Sequence, residues 1–300
     1  LFVHDDTFIC REVRGQSALR AALFFFDGMV NSQAINESIV KPISLWTGNS
    51  LQMPDVIREV LQIDDCPFDL KTEQLLAAFL YGDTIVLVDG DSRPAVVNTK
   101  GFAKRVPGEP DNEKVLRGPR EGFTEAFMGN LALIRRRLRT PNLCFEFSGI
   151  GSVTHTTVSL CYIQGIADEA VLETVRQRLQ DIPLDSILDA NYLGEIMRDN
   201  RFSPFPTVGV TERPDIVAAK LLEGRVAIVV DGTPVVLTAP HILQETFQAN
   251  DDYYISFLYT NLTRWLRVLG FVLTLTLPAI YVALLTWQQE MLPTRLLVSI

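Results

Sequence analysis

The feature that most constrains this chain is a run without charge near its C-terminal end. Between Arg267 and Glu290 there is no Asp, Glu, Lys or Arg. The 22 residues of Val268–Gln289 would reach about 33 Å as a helix, close to the roughly 30 Å hydrocarbon thickness of a bilayer. Trp265 and Trp287 bracket the run, as amphipathic rings do at a membrane–water boundary. Pro278 falls mid-run, where a kink is tolerated if neighbouring groups take up the freed carbonyl. The run comes too late in the chain for a signal peptide. Arg264 and Arg267 flank one side, and on the other Arg295 lies nearest. That asymmetry, with free cysteines, predicts a cytoplasmic N-terminal part. A long buried helix of a soluble core is the alternative reading of the same run.

The chain opens at Leu1 and closes in the apolar Leu296–Ile300, so it is expected to be part of a longer polypeptide. The closing residues would open a second span or a re-entrant piece. Ahead of the run, Asp251-Asp252-Tyr253-Tyr254 leads into Ile255–Tyr259. Asp at a helix start caps open amides, and the aromatics that follow suit either a helix lying along the membrane surface or a rigid linker helix.

The remaining 250 or so residues are ample for about two domains, and an internal repeat says how they divide. Residues 75–90 and 217–232 align at an offset of 142 with six identities, among them Gly82/Gly224, Asp89/Asp231 and Gly90/Gly232. Both copies read as a short helix ending at a glycine, a β-branched strand, an Asp-Gly turn and a second strand. Upstream, Leu23–Gly28 resembles Leu160–Gly165, each an apolar strand running through Gly into an amphipathic helix. Ala34, Ile35, Ile39 and Ile43 make the apolar face of the first helix; Val171, Leu172, Val175, Leu179 and Ile182 make that of the second, with Asp168 as its candidate N-cap. The expected fold class is α/β: two tandem related α/β subdomains joined by a long helix and followed by a transmembrane helix. The expected boundaries are 1–108 and 149–248 for the subdomains and 109–148 for the bridge. A juxtamembrane helix at 249–267, the span at 268–289 and the start of another segment at 290–300 complete the division.

In the bridge, Phe123, Phe127, Leu131, Ile134 and Leu138 form a helical stripe. Pro119 suits its first turn, Glu121 and Glu125 its positive end, and Arg135, Arg136, Arg137 and Arg139 its negative end. These predict a long helix after a tight Gly118-Pro119 turn, docked along both subdomains. Arg117 and Arg120 straddle that turn. They suit either an anion or carboxylate at a helix N-terminus or structural pairing with Glu109, Asp111 and Glu113. The arginine run suits a solvated helix end, or contact with anionic lipid or a partner chain.

Other chemistry is excluded or unsupported. With 27 Lys+Arg against 36 Asp+Glu, the chain lacks the basic balance of a general nucleic-acid binder. The four cysteines (Cys10, Cys66, Cys144, Cys161) and three histidines (His4, His155, His241) have no metal-ligand spacing, and no cofactor is expected. There is no phosphate loop and no nucleophile elbow. Asp5-Asp6, Asp64-Asp65 and Asp251-Asp252 read as turns or caps, so the chain is not expected to be an enzyme.

One further set of motifs is specific. Glu109-Pro110, Val115-Leu-Arg-Gly-Pro-Arg-Glu-Gly-Phe123 and Asn130-Leu-Ala-Leu-Ile-Arg-Arg-Arg137 are followed by Pro204-Phe-Pro206 and Thr211-Glu-Arg-Pro-Asp215. Leu222 to Pro234, Asp252-Tyr-Tyr254, Leu277 to Ala283 and Met291-Leu-Pro293 complete the series. In this order they resemble the A subunit of the GerA-type spore germinant receptors along essentially the whole chain; a related A-like protein of the spore membrane shares much of the pattern. The resemblance implies a soluble N-terminal region of two α/β subdomains, likened to substrate-binding-protein folds, followed by membrane helices. It implies a place in the spore inner membrane beside a transporter-like B subunit and a lipoprotein C subunit. It also implies a homo-oligomer that couples nutrient sensing to ion release. Arg117, Gly118, Pro119, Arg120, Glu121, Phe205 and Arg213 are then candidate ligand or coupling residues, and Arg135, Arg136, Arg137 and Arg139 candidate partner or lipid contacts. The alternative is a domain that itself holds a small-molecule germinant between its subdomains.

Overall fold

The computed structural model describes residues 2–16, 19–48, 52–61, 63, 66–101, 110, 113–115, 118–182, 184–198, 203, 205–249, 252 and 254–287. The chain separates into two compact units: Leu1–Lys114 with Pro119–His241, and Val115–Gly118 with Ile242–Ile300.

The first unit holds both copies of the repeat. β1 (Phe8–Arg14) and β2 (Arg20–Phe26) form a hairpin. A helical run follows: α1 (Ser32–Ile35), a π-helical turn (Asn36–Val40) and α2 (Lys41–Leu45). Next come α3 (Met53–Asp55) with a second π turn (Val56–Val60), then α4 (Thr72–Leu80), β3 (Thr84–Val88) and β4 (Asp91–Val97). The strands make an antiparallel sheet in the order β1-β2-β3-β4. After the bridge and α5 (Phe127–Arg137) the plan recurs with β5 (Leu143–Ile150), β6 (Thr156–Ile163), α6 (Glu169–Gln180) and α7 (Ala190–Ile196). β7 (Gly209–Thr211), α8 (Pro214–Leu222), β8 (Val226–Val230) and β9 (Val236–Ala239) complete a sheet ordered β5-β6-β8-β9-β7.

The duplication extends to single hydrogen bonds. Ala21 faces Val88 in the first sheet, and Val158 faces Val230 at the matching place in the second. Asp89 N donates to Arg20 O, and Asp231 N to Thr157 O. Asn31 caps α1 as Asp168 caps α6, each side-chain oxygen accepting two first-turn amides. Gly82 and Gly224 end the helices before the inner strands at φ +100 and +87, and a Cβ on either would press on the carbonyl of Met29 or Ile166, which are themselves repeat equivalents. Each copy carries a leading strand, β1 or β5, that the sequence reading did not foresee. β1 is an edge strand with Arg11, Glu12 and Arg14 exposed, so no long apolar run announces it.

Each sheet buries one face under its own helices. Ile35, Ile39 and Ile43 lie with Val13, Leu23 and Val86 in one core; Leu172, Val175 and Leu179 lie with Leu160 and Ile228 in the other. Burial pushes the thiol of Cys161 up to about 12, and all four cysteines are free. α5 touches both copies. Leu131, Leu133 and Ile134 pack on the second sheet, while Ala132 joins Phe26, Met29, Phe79 and Leu80. The expected bridging helix is therefore present, but it starts at Phe127. Pro119 to Ala126 run non-helical ahead of it, and its N-cap, Ala126, offers no side-chain acceptor.

Between the copies sits Arg135, whose whole residue is 1% exposed. Its Nη2 donates to Asp5 Oδ2 and, at 3.0 Å, to Thr7 Oγ1. Asp5 Oδ1 accepts from Thr7 N and Oγ1 at 3.1 and 2.7 Å. The guanidinium carbon is 4.0 Å from the ring centre of Phe26 on β2 and 4.7 Å from that of Phe145 on β5. Burial works against its charge and pulls its pKa down, with Asp5 opposing. Beside it, Asp6 accepts from Phe147 N, and Asp6 N donates to Phe145 O. The N-terminal segment thus bonds the first copy to the edge strand of the second. Arg135 belongs to the core and cannot be a lipid or partner contact.

Removing one member of a buried ion pair strands the other and costs about 3–5 kcal/mol. Asp5→Ala is expected to destabilise the protein by about that amount in urea unfolding. Asp5→Leu with Arg135→Met, which removes both charges, is expected to cost less than the single change.

Candidate functional site

The bridge residues fall into two groups. The first is built onto the second repeat. Glu113 Oε2 accepts from Thr211 Oγ1 at 2.7 Å and from Glu212 N at 2.8 Å, and Phe123 N donates to Glu212 O at 2.8 Å. Arg213 occupies the N-cap position of α8 ahead of Pro214 and is fully buried. Its Nη2 and Nε reach Asp215 at 2.7 and 3.2 Å, and its Nη1 reaches Glu113 O at 3.4 Å. The Thr211–Asp215 motif is therefore a structural corner that holds the bridge, and Arg213 turns inward, away from any ligand in solvent.

Glu121 reaches the far end of α5, where Arg136 Nη1 and Arg137 Nη2 donate to its two oxygens at 3.2 and 2.8 Å. The expectation that Glu121 sits at the positive end of the helix is corrected. The non-helical segment from Pro119 runs back along α5, so Glu121 neutralises the negative end's arginines instead. Arg139 lies 4.0 Å over the ring of Tyr81 and its Nε donates to Arg136 O at 3.3 Å. Arg120 is exposed. Phe205 is 52% exposed on a turn closed by Ser203, whose Oγ accepts Phe205 N at 3.2 Å. Arg117, Glu109, Asp111 and Pro204 lie outside the described residues. Two surface cavities take their walls elsewhere. One, of about 310 Å³, lies on the first sheet and one, of about 430 Å³, lies beside α6. None of Arg120, Phe205 and Arg213 lines either.

The second group belongs to the other compact unit. Val115–Gly118 folds with Ile242–Ile300, so the chain linking the two repeats passes through the unit that carries the long apolar helix. Gly118 adopts φ +121, and a Cβ there would stand 2.8 Å from Cδ2 of Tyr254. Tyr254 lies three residues ahead of α9 (Phe257–Trp287).

α9 is a single unbroken helix of 31 residues with Pro278 inside it. Phe257–Leu284 is long and apolar enough to cross a membrane, and none of its most apolar window is buried. The expected surface helix and span are one rod, and the segment at 290–300 lies outside the described residues. A single carboxylate organises the foot of the rod. Asp252 is buried and accepts from Arg267 Nη1 and Nη2 at 2.7 and 3.1 Å, from Arg264 Nε at 3.1 Å and from Ala249 N at 3.1 Å. Its own carbonyl accepts from Thr260 Oγ1 at 3.0 Å. Arg267 Nη1 also donates to Phe247 O, and the rings of Phe247 and Phe271 meet edge to face at 5.3 Å. Burial of Asp252 acts to raise its pKa, but the donors outweigh it and hold the carboxyl below its ordinary value. In the sequence Asp251-Asp252 reads as a turn or cap and Arg264 and Arg267 as charges flanking the uncharged run. The 12- and 15-residue separations that join them carry no local signal.

A family model described as Bacillus/Clostridium GerA spore germination protein matches residues 1–300. Spore germination protein KA of Bacillus subtilis is 41% identical over 298 residues, covering 97% of this chain and 54% of that protein. Spore germination protein A1 of the same organism is 36% identical over 276 residues, covering 92% of this chain and 57% of that protein. The crystal structure of the N-terminal domain of the A subunit of the Bacillus megaterium spore germinant receptor GerK3 matches with a TM-score of 0.58 and 33% identity. It covers 80% of this chain and 90% of its own. The chain spans about half the length of the curated relatives it matches.

The lowered pKa of Asp252 fixes the sign of a pH effect. Its contribution to stability is complete above the unfolded carboxyl value of about 3.9 and is lost as pH falls through the lower folded value. Amide protection over 243–264, taken relative to the intrinsic exchange rate at each pH, is expected to fall only in strong acid in the natural protein. In Asp252→Asn that protection is expected to be low at pH 7 already and to change little with acid.

Proposed function

The chain belongs to the GerA spore germination family, and we propose that it is the soluble N-terminal region and first membrane helix of an A-type subunit of a nutrient germinant receptor. In this reading the subunit sits in the spore inner membrane with its N-terminal region on the cytoplasmic side. It works with a transporter-like B subunit, a lipoprotein C subunit and further copies of itself. Its role is non-enzymatic: it carries a conformational signal between germinant sensing and ion release through the membrane part.

One observation carries the coupling role. The segment Val115–Gly118 lies between the two repeats in the chain, yet it folds with the membrane-helix unit. Three peptide links therefore join the units, at 114/115, 118/119 and 241/242, rather than one. A shift in the bridge has a covalent route to Tyr254 and the foot of α9. Such a shift is useful only if the foot has two arrangements whose balance a distant site can bias. The Asp252 cluster has the character of such an element, because one carboxylate holds two arginines of the rod. Glu121, Pro119 and Arg120 then act as coupling residues rather than as a ligand cradle. The buried ion pair of Arg213 with Asp215 supplies the fixed end from which the bridge is held.

Germination with receptor level controlled tests this. Gly118→Ala forces a Cβ into the Tyr254 ring and an L-residue into a positive φ, a strain of about 1–3 kcal/mol. The response to nutrient is expected to fall at least tenfold with the complex still assembled, and Gly118→Ala with Tyr254→Ala is expected to recover part of it. A normal response from Gly118→Ala in normally assembled receptor would remove the coupling role of the turn.

A further inference from the structure

Each of the three links between the units leaves the first unit beside the same short stretch of the second repeat. Glu113 lies just before the 114/115 link, Phe123 shortly after the 118/119 link, and His241 directly before the 241/242 link. Glu113 Oε2 accepts from Thr211 Oγ1 and Glu212 N at 2.7 and 2.8 Å, and Glu113 O accepts from Arg213 Nη1 at 3.4 Å. Phe123 N donates to Glu212 O, and His241 N donates to Thr207 O, each at 2.8 Å. Every partner in this set falls within 207–213, which is β7 (Gly209–Thr211) and its immediate flanks. All of these residues belong to the first unit.

The seat of the last link is cut for its occupant. Gly209 is buried. A Cβ there would stand 2.8 Å from His241 Nδ1, 2.8 Å from Thr238 Oγ1 and 3.1 Å from Lys220 Nζ. Its φ is not in the positive region, so space rather than backbone conformation demands glycine. A glycine inside a strand marks this kind of close approach. His241 therefore rests on β7 twice, by its amide at Thr207 and by its ring at Gly209.

The first repeat has the same place and does not use it in this way. Val210 faces Leu237 where β7 pairs with β9, and at the repeat offset of 142 Phe68 faces Ala95 of β4. There the contact is an isolated bridge, closed by Val96 N to Pro67 O at 2.8 Å and Asp69 N to Pro94 O at 3.3 Å. Pro67 stands where Gly209 stands, and proline has no amide to extend a ladder. Past β4 the chain turns to another neighbour: Thr99, the counterpart of His241, accepts from Asn31 N at 2.8 Å. The second repeat has thus built a full strand where the first has a bridge, and the chain segments that lead to the other unit are bonded to that strand. β7 is also the outermost strand of its sheet and pairs with β9. A short outermost ladder opens at a lower free energy than the inner strands do.

We propose that β7 is a strap that makes the three links act as one. It holds the chain at the first-unit side of each link, so a displacement at one is passed through the strand to the others. Thr211 and Gly209 are its positioning residues, one for the bridge end and one for the exit end. The proposal rests on the coupling reading above and names the element that carries it.

Amide exchange on the full receptor in membranes, followed at Phe123 and at His241, tests the strap. Thr211→Val keeps the side-chain shape and removes the hydroxyl donor to Glu113. Gly209→Ala pushes His241 from its seat. Protection of β6 and β8 reports that each variant is folded. The expected result is loss at the far end of the strap. Thr211→Val lowers protection of the His241 amide at least tenfold, and Gly209→Ala lowers that of Phe123 by a similar factor. Germination with receptor level controlled falls at least tenfold in both, while Thr211→Ser, which keeps the donor, behaves as the natural protein. Pro67→Ala, at the matching place in the first repeat, leaves both amides protected. Losses confined to the altered end would overturn the strap, and the coupling reading would still be decided by Gly118→Ala. Equal losses from Pro67→Ala would overturn it as a general loosening of the fold. Joint opening of both amides with normal germination would show a strap that carries no signal, which also overturns the proposal.

Discussion

The architecture depends on one guanidinium. Arg135 sits between an aromatic ring of each repeat, with a carboxylate from the N-terminal segment closing the third side. A charge in that position is expensive to bury, and it is tolerable only because Asp5, Thr7 and two ring faces share it. The cost has a structural return: neither sheet can leave the other without exposing an unpaired charge to a low dielectric. α5 carries that residue on its buried face, and its next two arginines tie down Glu121 of the bridge. The relative placement of the two repeats and the path of the bridge are thus set from one helix.

From that anchor the bridge leads outward. Glu113 is fixed to the Thr211–Asp215 corner, Val115–Gly118 folds with the apolar rod, and Glu121 returns to α5. The rod's foot is organised by Asp252 in much the same manner as the repeats are by Arg135, a single buried charge facing opposite charges from a distant part of the chain. One difference matters for function. Arg135 is sealed in a core of aromatic rings, whereas Arg264 and Arg267 remain about one-third exposed. A partly solvated cluster is cheaper to open, which is what a switching element needs and a scaffold does not.

Much of this was legible in the chain itself. The repeat could be read because its turn chemistry is local: Gly82 and Gly224 must adopt positive φ, and Asp-Gly closes each hairpin. Asp168 declared itself as a cap, and the uncharged run announced a long helix whose most apolar stretch is not buried. The misreadings share one cause. Arg135 read as part of a solvated run because three neighbouring arginines are indeed nearer solvent, and nothing local says that Asp5, 130 residues away, will meet it. Pro119 and Glu121 have the residue types of a helix start, yet the helix begins at Phe127, since Asn130 takes both the amide and the carbonyl of Thr124 and sets the entry there. Arg213 and Asp252 lacked any local mark of burial. The family resemblance supplied the link to spore germination, which no spacing or composition carried.

The central claim is that the bridge turn and the foot of the membrane rod move as one. Amide exchange on the full receptor in membranes, with and without nutrient, measures this directly at Val115–Gly118 and at Ala249–Thr260. The account requires both segments to change protection together when nutrient is added, while the core strands β6 and β8 stay constant. A change at the rod's foot with Val115–Gly118 unaltered would contradict it.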